Sequence, residues 1–325
     1  MTGRVVTVGE TMLLLSGQAV GAVPDLDAMR IDTGGAESNV AIGLVRAGVP
    51  TTWVGRVGTD PAGDRVLADV RGAGVDVVAV PDPEHSTGLM MKERLTDGRT
   101  RVTYHRRGSA GSALVPTDVP ASIVEQAALV HLTGITVALS DTARATVDAV
   151  LDRAAAAGVP VSFDVNHRPK LIDPERARAS YRHVVARSAV VFAGDDEARL
   201  VLGRDERPDD EEALAHDLAA LADGTAVVKL GSRGAVASVD GVLHRRAATP
   251  VRVVDPVGAG DAFVAGWLAA VLTGTDATTA LDRAADAGAL ACSVASDWGR
   301  PDPDALVSVE DAPDTDHTVH DRVDR

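Results

Sequence analysis

Short β-branched runs alternate with Ala-rich stretches of helical period along most of this 325-residue chain, and no other feature narrows the fold as much. When a helix makes the crossing between two strands, the strands run parallel, so the chain has to build a mostly parallel sheet with helices on its faces. The clearest strand runs are VVTVG (5–9), TTWVGRVG (51–58), ALVHLTG (128–134), VPVSFDV (159–165), AVVFAG (189–194) and TAVVKLG (225–231). Between them, ESNVAIGLVRAG (37–48) and DTARATVDAVLDRAAAAG (141–158) read as helices, each ending at a Gly suited to a C-cap. The order recurs without a fixed repeat length, which favours a doubly wound α/β sheet flanked by helices over a solenoid.

Two segments break the rhythm. TMLLLSG through DAMRIDTGG, and STGLMMKERLTDGRTRVTYHRRGSA (86–110) with its turn at Asp97-Gly98, read as antiparallel ribbons. They are expected to form a small β lid, from about 11–33 and 86–108, on a single domain spanning 1–310. A sheet with one face left over needs a cover, either the substrate or a second subunit, so a homodimer through the lid is expected. The segment 310–325, EDAPDTDHTVHDRVDR, is polar and nonperiodic, and 311–325 is expected to be a disordered acidic tail in which His317 and His320 are solvated.

Only eight residues are aromatic (3 Phe, 2 Tyr, 3 Trp), so Ala, Val and Leu have to supply the core. The net charge of −15 argues against nucleic acid and anionic membranes as partners, because both would be repelled. It leaves a small anionic substrate possible, since salt screens the summed field beyond about 8 Å and local Arg side chains decide. Cys292 is the sole cysteine, which excludes an internal disulfide and a Cys-based metal site and points to a reducing compartment. The chain opens with no basic leader and holds no apolar run of the roughly 18 residues a membrane span needs, so the expected location is cytoplasmic.

The stretch VVDPVGAGDAFVAGW (253–267) carries the chemistry. VRVVD reads as a strand, PVGAG as a tight turn and DAFVAGWLAAVLTG as a helix. The backbone N–H groups of Gly258, Ala259, Gly260 and Asp261 would then point outward at the positive end of a helix dipole, where an anion can rest. Asp261 has two readings: a helix cap, or a base beside that anion cradle. The chain has no GxxxxGK[ST] loop, no GxSxG elbow and no GxGxxG after its first strand, so phosphate chemistry without a Walker loop is what remains.

GGAESNVAIGLVRAG (34–48), WVGRVGTDPAGD (53–64), VKLGSRGA (228–235) and DPVGAGDAFVAGWL (255–268) together resemble the ribokinase-like, or PfkB, carbohydrate kinases, in order across about 5–302. The resemblance implies ATP with Mg²⁺ and phosphoryl transfer to a sugar hydroxyl. It gives Asp261 the part of catalytic base, beside the amides of Gly258, Ala259 and Gly260. Asp255 falls where the family's acid helps organise metal and phosphates, or else it ties the turn through backbone N–H groups. Lys229, Gly231 and Gly234 match the nucleotide-side turn, with Lys229 on phosphates or capping a sheet edge, and Ala287 and Gly288 match the helix lining the adenine pocket. Glu197 matches the family's metal-side Glu, whereas Gly194 stands where the family has Asn, with Asp195 and Asp196 beside it.

For the sugar, the resemblance places Glu10, Gly34, Gly35 and Asn39 at its hydroxyls. An acidic substrate calls for Arg, whose planar fork matches a carboxylate. TYHRRGSA and DVNHRPKL resemble 2-keto-3-deoxygluconate kinases, which points to Tyr104, Arg106, Asp164, Asn166 and Arg168, with Asp297 as a late contact and Arg107 as a surface residue. The expected reaction is phosphorylation of 2-keto-3-deoxygluconate at its terminal hydroxyl. The alternatives are a fructokinase or ribokinase, a 5-keto-2-deoxygluconate kinase, or a non-enzymatic sugar-acid sensor on the same fold.

Overall fold

The computed structural model describes residues 3–96, 99–205, 210–222, 224–294 and, by backbone alone, 323–324. The chain begins with β1 (Val5–Val8), then β2 (Met12–Val20), β3 (Met29–Gly34), α1 (Ala36–Arg46), β4 (Thr51–Gly58), α2 (Pro61–Gly72) and β5 (Asp76–Asp82). There follow β6 (Leu89–Arg94), β7 (Thr100–His105), α3 (Ala121–Glu125), β8 (Leu129–Thr133), α4 (Gly134–Leu139), α5 (Asp141–Ala157), β9 (Val161–Asp164) and α6 (Pro174–Val185). The second half adds β10 (Val190–Gly194), α7 (Asp195–Leu202), α8 (Glu211–Leu221), β11 (Thr225–Lys229), β12 (Ala235–Val239), β13 (Val242–Arg246), α9 (Ala259–Leu272), α10 (Ala277–Cys292) and β14 (Val323–Asp324).

Nine strands form the large sheet in the order β13-β12-β11-β10-β9-β8-β1-β4-β5. All run parallel except β12, which pairs antiparallel with β11 and with β13; the β12–β13 hairpin at the far edge turns at Asp240-Gly241, with positive φ at both residues, as a two-residue hairpin turn with the right twist requires. The strands facing both helical layers are continuous apolar runs: Val6, Val130, Leu132, Phe163 and Val191 pack on one side, Val5, Leu129, Phe192 and Val227 on the other with α1, α9 and α10. The core is aliphatic, as the composition demands. From β1 the chain moves outward to β4 and β5 and later returns on the other side at β8. Such a switch opens a crevice beyond the carboxyl ends of the strands, which is where doubly wound sheets bind ligands.

The two ribbons form the second sheet, β14-β7-β6-β2-β3, with β2 and β6 joined in parallel. On its inner face Met12, Leu14, Met90 and Val102 form a small buried cluster against which Tyr104 and Val257 pack. Ile31, on its outer face, is exposed, as is Val20 at the end of β2. The hairpin turn at Asp97-Gly98 and the two tail histidines lie outside the described residues.

One expected element is absent. VRVVD (251–255) forms no strand; the N–H groups of Val254 and Asp255 instead donate to the Cys292 carbonyl at the end of α10, at 2.8 and 3.1 Å. Its β-branched residues gave a strand signal, but the sheet ends at β13 and the stretch serves to cap α10, leaving Val253 and Val254 exposed.

Candidate active site

Between the lid and the carboxyl ends of β1, β8, β9 and β10 lies a cavity of about 350 Å³. One wall is the start of α9. Gly258 has φ 86° and ψ −10°, a left-handed conformation that Gly adopts without strain, and it swings the chain from the 251–255 stretch into the helix. The Ala259 N–H turns back to the Pro256 carbonyl at 3.3 Å, and the first full helical bond runs from the Ala262 N–H to the Gly258 carbonyl. The amides of Gly260 and Asp261, in the first helical turn, are thus left without helical acceptors at the positive end of the dipole. Val257, Gly258, Gly260 and Asp261 line the cavity; Ala259 does not.

Asp261 is the third residue of α9, and its Oδ2 accepts a hydrogen bond from Asn39 Nδ2, on α1, at 2.8 Å. Burial pushes its carboxyl up to about 7, against the Asn39 bond and the nearby cations Lys229 and Arg168, which lower it, and with Asp164, which raises it. A carboxylate so poised can take a proton near neutral pH. Lys229 spans both oxygens of Asp164 at 2.8 Å each, and Asp164 is itself buried. The lysine therefore neither stands free for a phosphate nor caps a sheet edge in this state, although it is close to the cradle: a Cβ on Gly260 would lie 3.7 Å from its Nζ.

Glu197 reaches the cavity, but its carboxylate accepts the backbone N–H groups of His167 and Gly194, both at 2.7 Å. The latter is the Glu half of a capping box at the start of α7, where the N-cap Gly194 has no side chain to return a bond. Asp195 is bound by Arg233 and Arg199, and Asp196 projects into solvent. Asp255 is buried behind the turn; one oxygen accepts the Val257 N–H at 3.0 Å and the other meets Lys92 Nζ at 2.6 Å.

Two arginines also line the cavity. Arg106 donates to Glu10 through Nε at 2.7 Å and Nη2 at 2.5 Å, and Ser109 donates to the other Glu10 oxygen. Its guanidinium lies 5.6 Å from the centre of the Tyr104 ring. Arg168 makes one bond to protein, from Nη1 to the His167 carbonyl at 3.1 Å. Asn166, buried at the end of β9 with φ 38°, also lines the cavity. Glu10 is thus spent on orienting Arg106, and Arg107 is exposed.

Gly35 and Gly231 line the cavity, but Gly34, Gly234, Ala287 and Gly288 do not. Gly34 pairs with Met12 inside the lid, and a Cβ on Gly234 would strike the Arg246 carbonyl at 2.0 Å. Ala287 and Gly288 pack α10 against α9, opposite Gly266 and Phe263. Asp297 lies outside the described residues. Sequence reasoning missed Glu37, a cavity residue buried against Gly9, whose Oε1 accepts Thr133 and Thr136 hydroxyls at 2.7 and 2.5 Å and whose carboxyl burial pushes up. A Glu in the first turn of a helix reads as a dipole partner, and nothing local marks it as buried.

The profile described as pfkB family carbohydrate kinase matches residues 2–299. The chain belongs to this family. It is 36% identical over 312 residues to the 2-dehydro-3-deoxygluconokinase of Thermoproteus tenax, covering 94% of this chain and 92% of that protein. It is 34% identical over 311 residues to the 2-dehydro-3-deoxygalactonokinase of Haloferax volcanii, covering 95% and 97%. The crystal structure of 2-dehydro-3-deoxygluconokinase from Thermotoga maritima superposes with a TM-score of 0.86 at 25% identity, covering 92% of this chain and 95% of that one. The chain is therefore a carbohydrate kinase, and the resemblance read from its motifs holds across the whole catalytic fold. No helix among the described residues is long and apolar enough to cross a membrane.

Whether these residues suit a nucleotide and its metal can be tested on the site itself. The unpaired amides of Gly260 and Asp261, with Gly258 and Gly231 presenting bare backbone to the cavity, suit a phosphate chain. Among the described residues no three acidic, His or Cys side chains gather into a metal cage. That suits Mg²⁺ carried on phosphates, which keeps several waters and asks for few protein ligands; Glu197, which lines the cavity, would be the residue to meet such a water.

Proposed function

We propose that this kinase transfers the γ-phosphoryl group of ATP to the terminal hydroxyl of a 2-keto-3-deoxy sugar acid, with 2-keto-3-deoxygluconate the first candidate. The observation that carries this reading is the presence of two arginines, Arg106 and Arg168, in the same cavity as the raised carboxyl of Asp261 and the amides at the start of α9. Guanidinium groups can donate to neutral hydroxyls, but their planar fork and charge match a carboxylate best. A carboxylate suits them, and with the base in the same cavity the site fits an acid held by its carboxylate while a hydroxyl reaches Asp261.

In this reading Arg106, held by Glu10 and stacked near Tyr104, and Arg168 bind the acid, while Asn166 and Gly35 meet its hydroxyls and Glu37 adds a carboxyl to the same wall. Asn39 fixes one oxygen of Asp261 and leaves the other to take the hydroxyl proton as the hydroxyl oxygen bonds to phosphorus and the bond to ADP breaks. Amides of Gly260 and Asp261 receive charge from the transferring group without having to reorganise. Mg²⁺, when bound on the phosphates, neutralises their charge. Asp297 remains a proposed contact. A single cysteine and a net charge of −15 support action in the cytoplasm, away from nucleic acid and anionic membranes. The exposed Val20 and Ile31 support pairing of two lids in a dimer.

The test is ADP release with 2-keto-3-deoxygluconate, its 4-epimer 2-keto-3-deoxygalactonate, 5-keto-2-deoxygluconate, fructose and ribose as acceptors. We expect kcat/KM for a 2-keto-3-deoxy acid to exceed that for either neutral sugar at least ~100-fold. A preference for fructose or ribose overturns the choice of substrate, and no sugar-dependent turnover at all would favour a sensor.

A further inference from the structure

Lys92 sits in the middle of the lid, on β6, and Asp255 sits just before the turn into α9; their side chains are 4% and 2% exposed and meet at 2.6 Å. Two opposite charges taken this far out of water are costly unless each satisfies the other. The pair is therefore a clasp between lid and turn when the lid is seated. Its reach goes further, because the second Asp255 oxygen holds the Val257 N–H, and Val257 packs on the lid's apolar cluster. With the lid seated, lid, carboxylate and turn are thus joined through one set of contacts.

The charges matter as much as the mechanics. A lone carboxylate at position 255 would put a negative charge beside the amides of the α9 start, in a pocket where like charges repel with little screening. The Lys92 ammonium cancels that charge, and it comes from the lid. Lys92 opposes Val102 in the β6–β7 register, and its neighbour at two residues, Met90, opposes Tyr104. The same lid position that seats Tyr104 and Arg106 over the cavity therefore seats the ammonium on Asp255.

We infer that Lys92 is a positioning residue for phosphoryl transfer: by holding and neutralising Asp255 from the lid, it makes the amide cradle at the start of α9 fit for a phosphoryl group only when the lid is seated. This rests on the proposed role of that turn as the phosphoryl cradle. Seating the lid on a sugar then readies the cradle, and ATP alone, with the lid unseated, turns over slowly.

The experiment uses the full chain with Lys92→Met and with Lys92→Met/Asp255→Asn, assayed with whichever sugar the unaltered enzyme phosphorylates best. Measured are kcat, KM for sugar, ATP hydrolysis without sugar, and thermal melting. For Lys92→Met we expect kcat to fall ~30-fold or more, in the range seen when a transition-state charge partner is lost, with KM for sugar within about threefold. The double variant removes both buried charges while its amide can still accept the Val257 N–H, and it should recover at least ~5-fold in kcat over the single one. If the single variant does not fold, a folded double variant within about tenfold of the unaltered kcat supports the inference, and a folded but inactive one overturns it. Lys92→Met with unaltered kcat overturns it, as does a double variant that melts normally yet recovers nothing. Failure of the substrate reading shows separately, as an unaltered enzyme without sugar-dependent turnover.

Discussion

Arg168→Met separates recognition of the acid from everything else in the cavity. Arg168 gives one N–H to the His167 carbonyl, so its guanidinium keeps four donors for a ligand, and its removal strands no buried carboxylate partner. A charge-assisted contact of this kind contributes roughly 1.5–3 kcal/mol, and at 1.4 kcal/mol per factor of ten its loss should raise KM for the acid by roughly 10–150-fold. The Arg168 charge also lowers the Asp261 carboxyl, so the variant should shift the acid limb of the kcat profile to higher pH. Two assays read the two effects: KM for the sugar acid beside KM for fructose at one pH, and kcat for the acid from pH 5.5 to 9. We expect a large rise in KM for the acid, a change of less than about threefold for fructose, and an upward shift in the profile. Equal rises for acid and ketose would refute the reasoning, because Arg168 would then shape the cavity without reading the carboxylate.

Asp261→Asn should stabilise the protein above neutral pH. A carboxyl held at about 7 in the folded chain keeps a proton that the unfolded chain has lost from about pH 4 upward, so stability declines between those values and the amide escapes the loss. The ceiling, three pH units at 1.36 kcal/mol each, is about 4 kcal/mol; solvent in the cavity reduces it to roughly 1–2 kcal/mol, seen as a rise in Tm of a few degrees at pH 8 that vanishes near pH 4. Gly35→Ala should cost at least ~2 kcal/mol and most activity, since its Cβ would fall 2.3 Å from the Glu10 carbonyl, and urea melts beside ADP release will check both. Light scattering should give twice the 33.5 kDa chain mass, and Ile31→Glu should halve it; a monomer before mutation would remove the lid dimer.

Much of this was legible because period and punctuation are local. The runs at 5–9, 51–58, 128–134, 189–194 and 225–231 became β1, β4, β8, β10 and β11 almost residue for residue, and Gly158 caps α5 in the left-handed conformation the pattern implied. Asp261 could be read because base and cradle share one turn. What stayed hidden depends on pairing across the fold. Lys229 and Asp164 are 65 residues apart in sequence, and Glu10 and Arg106 are 96 apart, so each looked like an independent ligand until the sheet brought them into contact. The stretch at 251–255 misled for the opposite reason: its strand propensity is real, but its backbone N–H groups found the end of α10 before any strand.

The role of Asp261 is tested most directly by kcat for the preferred sugar acid as a function of pH, measured on the unaltered enzyme and on Asp261→Asn with ATP affinity determined for both. We expect a rate that climbs to a plateau through a pKa near 7, and a variant slower by ~10²–10⁴ that binds ATP as before. A variant turning over at the unaltered rate would leave Asp261 as nothing more than the first-turn acid of α9.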